Sequence, residues 1–527
     1  MRAACLLFVP LATALLSTQE RPQDLRPPGP QSASIERRER MHDVPTPARL
    51  RGLRSAPVER LEVDAAGVAV DVPDLWATDP TNGAVYRRGE VLVRFKNNVD
   101  AIARAQALRA HGGTRVVRTL PDSWSLVELD PSTTAYDAAA AFARSADVAN
   151  VSLNYRLETR QFRPNDEFHK LQWNFDAIHL PAAWQINKGA RTDVVVAVVD
   201  TGLNFVTDTF LFPSPFTGGQ IPVRFGSVPD LVTDDRIVAP YDFIWDDEFP
   251  LDLGGHGTHV AGTIAQQTDN NIGVAGVAFN VRLMPLKVLS GGGGVISWDA
   301  ILGAPTPGGS AAIVSEAIRY AADNGARVIN LSLGTTGPIP TVRDAIVYAV
   351  GRGSFVAIAA GNSGDAGNPV EYPASYASEI NGAMAVGAVN RELRRARYSG
   401  HQPYVEICAP GGESQRPIDY DRGITQIGYN EESTLSFLSP AQKVAALRIG
   451  FRPRFDDFEL LPLDGTSMAT PHVSGVAALL YSQGIRSPGA IEEAIERFAE
   501  RIDARVEECG SGLVDARRAL RGLGLIR

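Results

Sequence analysis

The stretch DVVVAVVDTG, residues 193–202, decides the fold. It is apolar almost without a break, whereas a strand with one wet face would alternate. A strand buried on both faces belongs to a parallel sheet covered by helices, and further runs of this kind follow at 281–289 (VRLMPLKVL), 327–334 (RVINLSLG), 354–362 (SFVAIAAGN) and 382–389 (GAMAVGAV). Between them, SAAIVSEAIRYAADNGA and VRDAIVYAVGRG have helical spacing and end at glycine. Ser487 and Pro488 read as the cap and first turn of a later helix whose Ile491, Ile495, Phe498 and Ile502 share a face. The class is therefore α/β, a parallel sheet with helices on both faces. Two long stretches, 210–253 and 411–462, are rich in Pro, Gly, Asp and aromatic residues and interrupt the pattern as long loops.

Upstream, EVLVRF, DAIARAQALRAHGG, TRVVRTL, SWSLVEL, AYDAAAAFARSA and VANVSLNY alternate as β-α-β-β-α-β, the order of a small ferredoxin-like α+β domain over 85–158. Before it, residues 19–84 are rich in Pro, Arg and Gln and read as a disordered leader. Met-Arg followed by the apolar run 3–16 and then Ser-Thr-Gln-Glu has the layout of a secretory signal over residues 1–18, and the run is short for a membrane span. A secreted protein with no membrane attachment after signal removal is the expectation. The 527 residues carry a formal net charge of -9 without a large basic stripe, which argues against a nucleic-acid partner. A monomer is the default. Beyond Cys5 in the signal, Cys408 and Cys509 remain. Export permits a disulfide, and two buried thiols fit as well, because pairing needs Cα atoms within about 7 Å.

Three local sequences carry chemistry. Asp200 ends the 193–200 strand, which sets a carboxylate at the carboxyl edge of a parallel sheet, where ligands gather. In GGHGTHVAGT (254–263) glycines allow close backbone approach and a helix begins at the first histidine. His256 and His259 are three apart, but no Glu lies between them and no third ligand follows, so metal catalysis is rejected. DGTSMATPHVSGVAALL (464–480) puts Ser467 at the start of an apolar helix, where unpaired N–H groups favour a developing negative charge. A serine hydroxyl needs an imidazole to take its proton and a carboxylate to orient the imidazole.

VVDTG, GHGTHVAGTIA, NIGVAGVA, AAGNSG and GTSMATPHVSGVAALL together resemble the subtilisin family of serine proteases over roughly 164–516. The resemblance implies a subtilisin-like peptidase domain over 159–527 with a triad of Asp200, His256 and Ser467, leaving His259 and His472 structural. It makes Asn362 the side-chain donor of an oxyanion hole. Leu331, Ser332, Leu333, Gly334, Ala359, Ala360 and Gly361 then line a groove where an extended polypeptide substrate adds as a strand. Glu371 falls at the base of the primary pocket, where a carboxylate favours Arg or Lys before the scissile bond. Arg156, Arg160 and Arg163 at the domain junction suit self-cleavage with that preference. The 85–158 unit resembles the family's inhibitory propeptide. Residues 164–173 and 268–274 resemble its structural calcium site, with Asp166, Asp208, Asn270 and the carbonyls of Thr268, Ile272 and Val274 as ligands, in a loop one residue longer than the common version. Two rivals stand against this reading. A catalytically inactive binding protein on the same fold conflicts with four intact catalytic positions. A lipid or ester hydrolase conflicts with Ser467 lying in GTSMA and not in a G-x-S-x-G elbow.

Overall fold

The computed structural model describes residues 76–156, 162–216, 219–233, 235–291, 297–306, 308–436 and 438–522. The expected signal 1–18, the leader through residue 75 and Arg160 lie outside the described residues. The chain divides between Leu157 and Glu158 into two compact units.

In the first unit the strands and helices run β1 (Trp76–Thr78), β2 (Val85–Phe95), α1 (Ala101–Ala110), β3 (Gly113–Thr119), β4 (Trp124–Leu129), α2 (Ala135–Ala143) and β5 (Val148–Tyr155). The main sheet has the order β5-β2-β4-β3, every pair antiparallel, as the β-α-β-β-α-β reading requires. Val91, Val93, Val127 and Phe142 are fully buried between sheet and helices. Strand pairing begins at Trp76, inside the stretch 19–84 expected as leader, because Trp76–Thr78 pairs with Val85, Tyr86 and Arg87. Asp79 secures the connecting turn by accepting from the Thr81 N–H and hydroxyl, Asn82 and the Tyr155 hydroxyl. A three-residue strand is too short for periodicity to reveal it.

The second unit is built on β6 (Val195–Asp200), β7 (Asp208–Pro213), β8 (Gln220–Phe225), β9 (Tyr241–Asp242), α3 (His256–Ala265), β10 (Arg282–Lys287), α4 (Ala311–Asp323), β11 (Val328–Leu331), α5 (Pro340–Gly351), β12 (Phe355–Ala359), β13 (Ala383–Val389), β14 (Ile407–Pro410), β15 (Ile424–Tyr429), α6 (Pro440–Arg448), β16 (Arg454–Phe455), β17 (Phe458–Leu463), α7 (Thr466–Ser482) and α8 (Pro488–Arg497). Seven strands form one parallel sheet in the order β14-β13-β12-β11-β6-β10-β9. In β6, Val195, Ala197 and Val199 enter the core shared with α4 and α5, while Val196 and Val198 enter the core shared with α3 and α7. Both faces are covered, which is why its sequence does not alternate. After β6 the chain lays down β9 and then β10 on one side of it and, from β11 onward, the strands on the other side, so the carboxyl end of β6 is the topological switch point.

The stretches 210–253 and 411–462 are structured, contrary to their reading as loops. β7 and β8 form an antiparallel hairpin, β15 and β17 form another, and β16 joins the insertions by pairing parallel with β8. Phe225, Phe455, Leu447 and Trp298 share a small core between them. Cys408 and Cys509 are disulfide-bonded across a sequence separation of 101.

Candidate active site

Asp200 ends β6 and is completely buried. Its Oδ1 accepts the Thr201 N–H at 2.7 Å and faces His256 Nδ1 at 2.7 Å. The helix α3 comes this close because residue 257 is glycine: a Cβ there would stand 2.4 Å from the Gly202 carbonyl oxygen. Burial pulls the His256 imidazole down, but the Asp200 charge, the hydrogen bond to it and the Asp252 charge outweigh burial, and the group ends above its ordinary value. His256 is about a third exposed, so the ring is braced on one side and open on the other.

Ser467 lies in the first turn of α7, which begins without a side-chain cap. Its hydroxyl donates to the Ser332 carbonyl at 3.3 Å, and among the described residues its N–H has no acceptor. The strand after β11 is tied to it from the other side, since the Ser332 hydroxyl donates to the Ser467 carbonyl at 2.9 Å. Asn362 follows β12, and its Oδ1 accepts both the N–H and the hydroxyl of Thr466, each at 2.9 Å. Two donors on the oxygen fix which way the amide faces, leaving Nδ2 toward Gly465 beside Ser467.

The residues expected to line the groove surround this point. Leu331, Ser332, Ala359 and Ala360 are buried, and Leu333 and Gly334 have no backbone partner among the described residues, so this edge is free to take a further strand. Glu371 is 8 % exposed and lies between Gly334 and Gly361. A Cβ at Gly361 would meet its Cγ at 2.5 Å, and one at Gly334 would be 3.5 Å from its Oε2. Gly361 has a φ of +100°, which glycine alone adopts readily. The Thr335–Tyr372 bridge keeps Glu371 in register, and Oε1 accepts the Ser363 hydroxyl at 3.0 Å.

His259 and His472 are fully buried, and burial lowers each to about 4. His259 Nε2 meets the carbonyls of Ile424 and Leu461, tying α3 to β15 and β17, while His472 meets the Met468 carbonyl and Asn174. Sequence reasoning missed three supporting residues. Asp252 accepts from the N–H groups of Gly254, Gly255 and Thr258 and so shapes the turn before His256. Lys287, opposite Asp200 in the sheet, donates to the Thr201 carbonyl and pairs with Asp299, all fully buried save the nearly buried Thr201. Asp252 lies in a motif-like DLGGH context that hints at a cap; nothing local marks Lys287 or Asp299.

At the expected metal loop, both Asp166 oxygens accept the Asp269 N–H, and Asn270 donates to Asp230 at 2.5 Å. Asp208 is not the second carboxylate of this loop: it opens β7, is exposed, and accepts the Thr209 N–H. Asp208 is paired with Phe225 in the β7–β8 hairpin, and it is Asp230, beyond that hairpin, that stands beside Asn270. Burial, with the nearby Asp166 charge, raises Asp230 to about 6 despite hydrogen bonds from Asn270 and Gln266. Among the described residues no donor reaches the carbonyls of Thr268, Ile272 or Val274. Two close carboxylates and three free carbonyls make a hard-oxygen set suited to calcium.

Residues 191–512 match the subtilase family, and residues 76–154 match the fervidolysin N-terminal prodomain. The chain is 33 % identical over 422 residues to a thermophilic serine proteinase of Bacillus sp. (strain AK1), covering 79 % of this chain and 83 % of that one. It is 32 % identical over 360 residues to thermitase of Thermoactinomyces vulgaris, covering 68 % and 99 %. Among solved structures, a protease from Pseudoalteromonas arctica PAMC 21717 superposes with a TM-score of 0.51 at 28 % identity, covering 68 % of this chain and 99 % of that one.

Proposed function

The chain belongs to the subtilase family of serine endopeptidases and carries a prodomain, and on that premise we propose that Asp200, His256 and Ser467 are its catalytic triad. The observation that carries this reading is the 2.7 Å contact between His256 Nδ1 and buried Asp200, at a sheet switch point that also brings in an uncapped helix start bearing Ser467. In this reading the Ser467 hydroxyl leaves the Ser332 carbonyl and donates to His256 Nε2 when substrate is bound. Ser467 Oγ then attacks the scissile carbonyl as its proton passes to His256, and Asp200 stabilises the imidazolium. The carbonyl oxygen becomes an oxyanion held by the Ser467 N–H and Asn362 Nδ2. His256 gives its proton to the leaving amine, and water, deprotonated by the same ring, hydrolyses the acyl-enzyme.

Glu371 selects Arg or Lys before the scissile bond: it is a buried carboxylate with no cation within 4 Å among the described residues, between the groove's two sides. The 85–158 domain acts as inhibitor until the enzyme cuts its own chain near 156–164, where Arg156 and Arg163 stand. The apolar run at residues 3–16 supports export, and among the described residues no helix is long and apolar enough to cross a membrane. The enzyme works as a monomer. Calcium, when bound, is held by Asp166, Asp230, Asn270 and the Thr268, Ile272 and Val274 carbonyls, and supplies positive charge that relieves the repulsion between the two carboxylates.

Expressing the full chain beside Ser467→Ala and following intact mass tests the core of this reading. Cleavage near 156–164 in the wild type alone supports self-processing by Ser467, whereas equal cleavage of both chains, or a folded wild type left uncut, counts against it.

A further inference from the structure

A cavity of about 180 Å³ opens beside His256. Gly255 and His256 form one wall, Trp298 another, and Tyr429, Thr434 and Lys443 close it from the second insertion. Trp298 is 2 % exposed, and its ring is fixed because Nε1 donates to the Thr434 carbonyl at 2.8 Å. Lys443, on α6, is 8 % exposed, and its ammonium lies 5.6 Å from the Trp298 ring centroid. Among the described residues that ammonium has no hydrogen-bond acceptor and no carboxylate within 4 Å. Glu431 also borders the cavity but is exposed and makes no ion pair with it. Burial alone pulls Lys443 below its ordinary value.

An ammonium has three donors, and an aromatic face satisfies the charge without accepting those hydrogen bonds. A buried cation so placed is stabilised by an anion that enters with it. Of the reactants that pass His256, water and the peptide being cut, only the peptide can carry a carboxylate, so the anion belongs to the substrate. We propose that this cavity is a substrate subsite in which Lys443 receives the carboxylate of an Asp or Glu side chain flanking the scissile bond. The proposal rests on the triad reading given above, and it makes Lys443 a specificity-determining residue supplied by the 411–462 insertion.

The test uses the full chain after processing and peptides blocked at both ends, so that side-chain carboxylates are the only ones offered. Glu is compared with Gln at each of the two positions on either side of the cut in a parent peptide. In the wild type one position should favour Glu over Gln by about tenfold in kcat/KM, the scale of one charge-assisted hydrogen bond. In Lys443→Met that ratio should fall to about one, which mere loss of stability would not produce. Overturning results are a wild type with no Glu preference anywhere, which needs no variant, or a preference that survives in Lys443→Met. Labelling of Ser467 by an organophosphonate separates the two failures: unlabelled protein sinks the triad reading and this one together, whereas labelled enzyme without a Glu preference sinks this one alone.

Discussion

Glu371→Gln keeps the size of the side chain and removes its charge, so it isolates the electrostatic part of substrate selection. In the native chain Oε1 is engaged by the Ser363 hydroxyl at 3.0 Å, while Oε2 is the oxygen nearer Gly334 on the opposite side of the groove. Oε2 has no partner among the described residues and Oε1 keeps one lone pair, so an incoming guanidinium gains at least one charge-assisted hydrogen bond. Such a bond is worth about 1.5–3 kcal/mol in a desolvated site, which corresponds to about 10- to 150-fold in rate. The ratio of kcat/KM for an Arg peptide to that for its Leu counterpart should therefore fall by that factor in Glu371→Gln. Because Gln can still accept from Ser363, the pocket keeps its shape and the Leu peptide serves as the internal standard. An unchanged ratio would refute the assignment of Glu371 to the pocket floor.

Asn362→Ala should still fold, with a lowered melting temperature because the buried Thr466 N–H and hydroxyl lose their acceptor, yet lose about 100- to 1,000-fold in kcat, the scale known for the equivalent donor in subtilisin, and a variant with unimpaired kcat would remove Asn362 from the oxyanion hole. His256 acts as a base only when neutral, so kcat/KM should drop as pH falls through its raised pKa, with an acid limb above about 6.5. In Asp200→Asn burial is opposed only by the Asp252 charge, so that limb should move to lower pH while kcat falls by about 10⁴; a limb that stays put would mean another group controls it. The same raised pKa stabilises the fold below about pH 6.5, a contribution lost as pH rises through the folded value. Chelating calcium should lower the melting temperature, because metal at 100 times its Kd contributes about 2.7 kcal/mol, and Asp230→Asn should weaken the response where Asp208→Asn leaves it intact. Equal melting with and without chelator would dismiss the site.

The parallel sheet was legible because each of its central strands is buried on both faces over four to seven residues, long enough for continuous apolar character to stand out. Tyr241–Asp242 escaped notice because two residues at the sheet's edge give no period to read, and Ile407–Pro410 because Glu406 and Pro410 cut its apolar run to three residues. The candidate catalytic residues were legible for a different reason. The glycines and helix starts that position His256 and Ser467 adjoin them in sequence, so motif and geometry are the same few residues. Asp230 was not, since its place beside Asn270 depends on how much chain the β7–β8 hairpin takes up. Lys287 and Asp299 pair across the sheet edge, and no local pattern announces such a pair.

The insertions were the least legible part, and the reason bears on what distinguishes this protease. Helix α6 buries only Lys443 and Leu447, so it has no apolar stripe, and the Pro, Gly and Asp around it read as loop. Their order comes from each other: Phe225 stacks on Phe455, and Arg454–Phe455 pairs with Arg224–Phe225, which lie more than 200 positions earlier in the chain. Neither insertion has a sufficient core alone, so a sequence window that contains only one of them sees an unsupported hairpin. The second insertion walls the cavity beside His256, with only Leu253 at the end of the first, and His259 anchors β15 and β17 directly to the helix that His256 begins. Anything that loosens the contact between the insertions is therefore felt first at the substrate side of the triad. Phe455→Ala should accordingly change which flanking residues the enzyme prefers more than it changes the intrinsic reactivity of Ser467 toward a small phosphonate, and a variant in which both fall equally would show that the insertions support the whole fold and not the subsite.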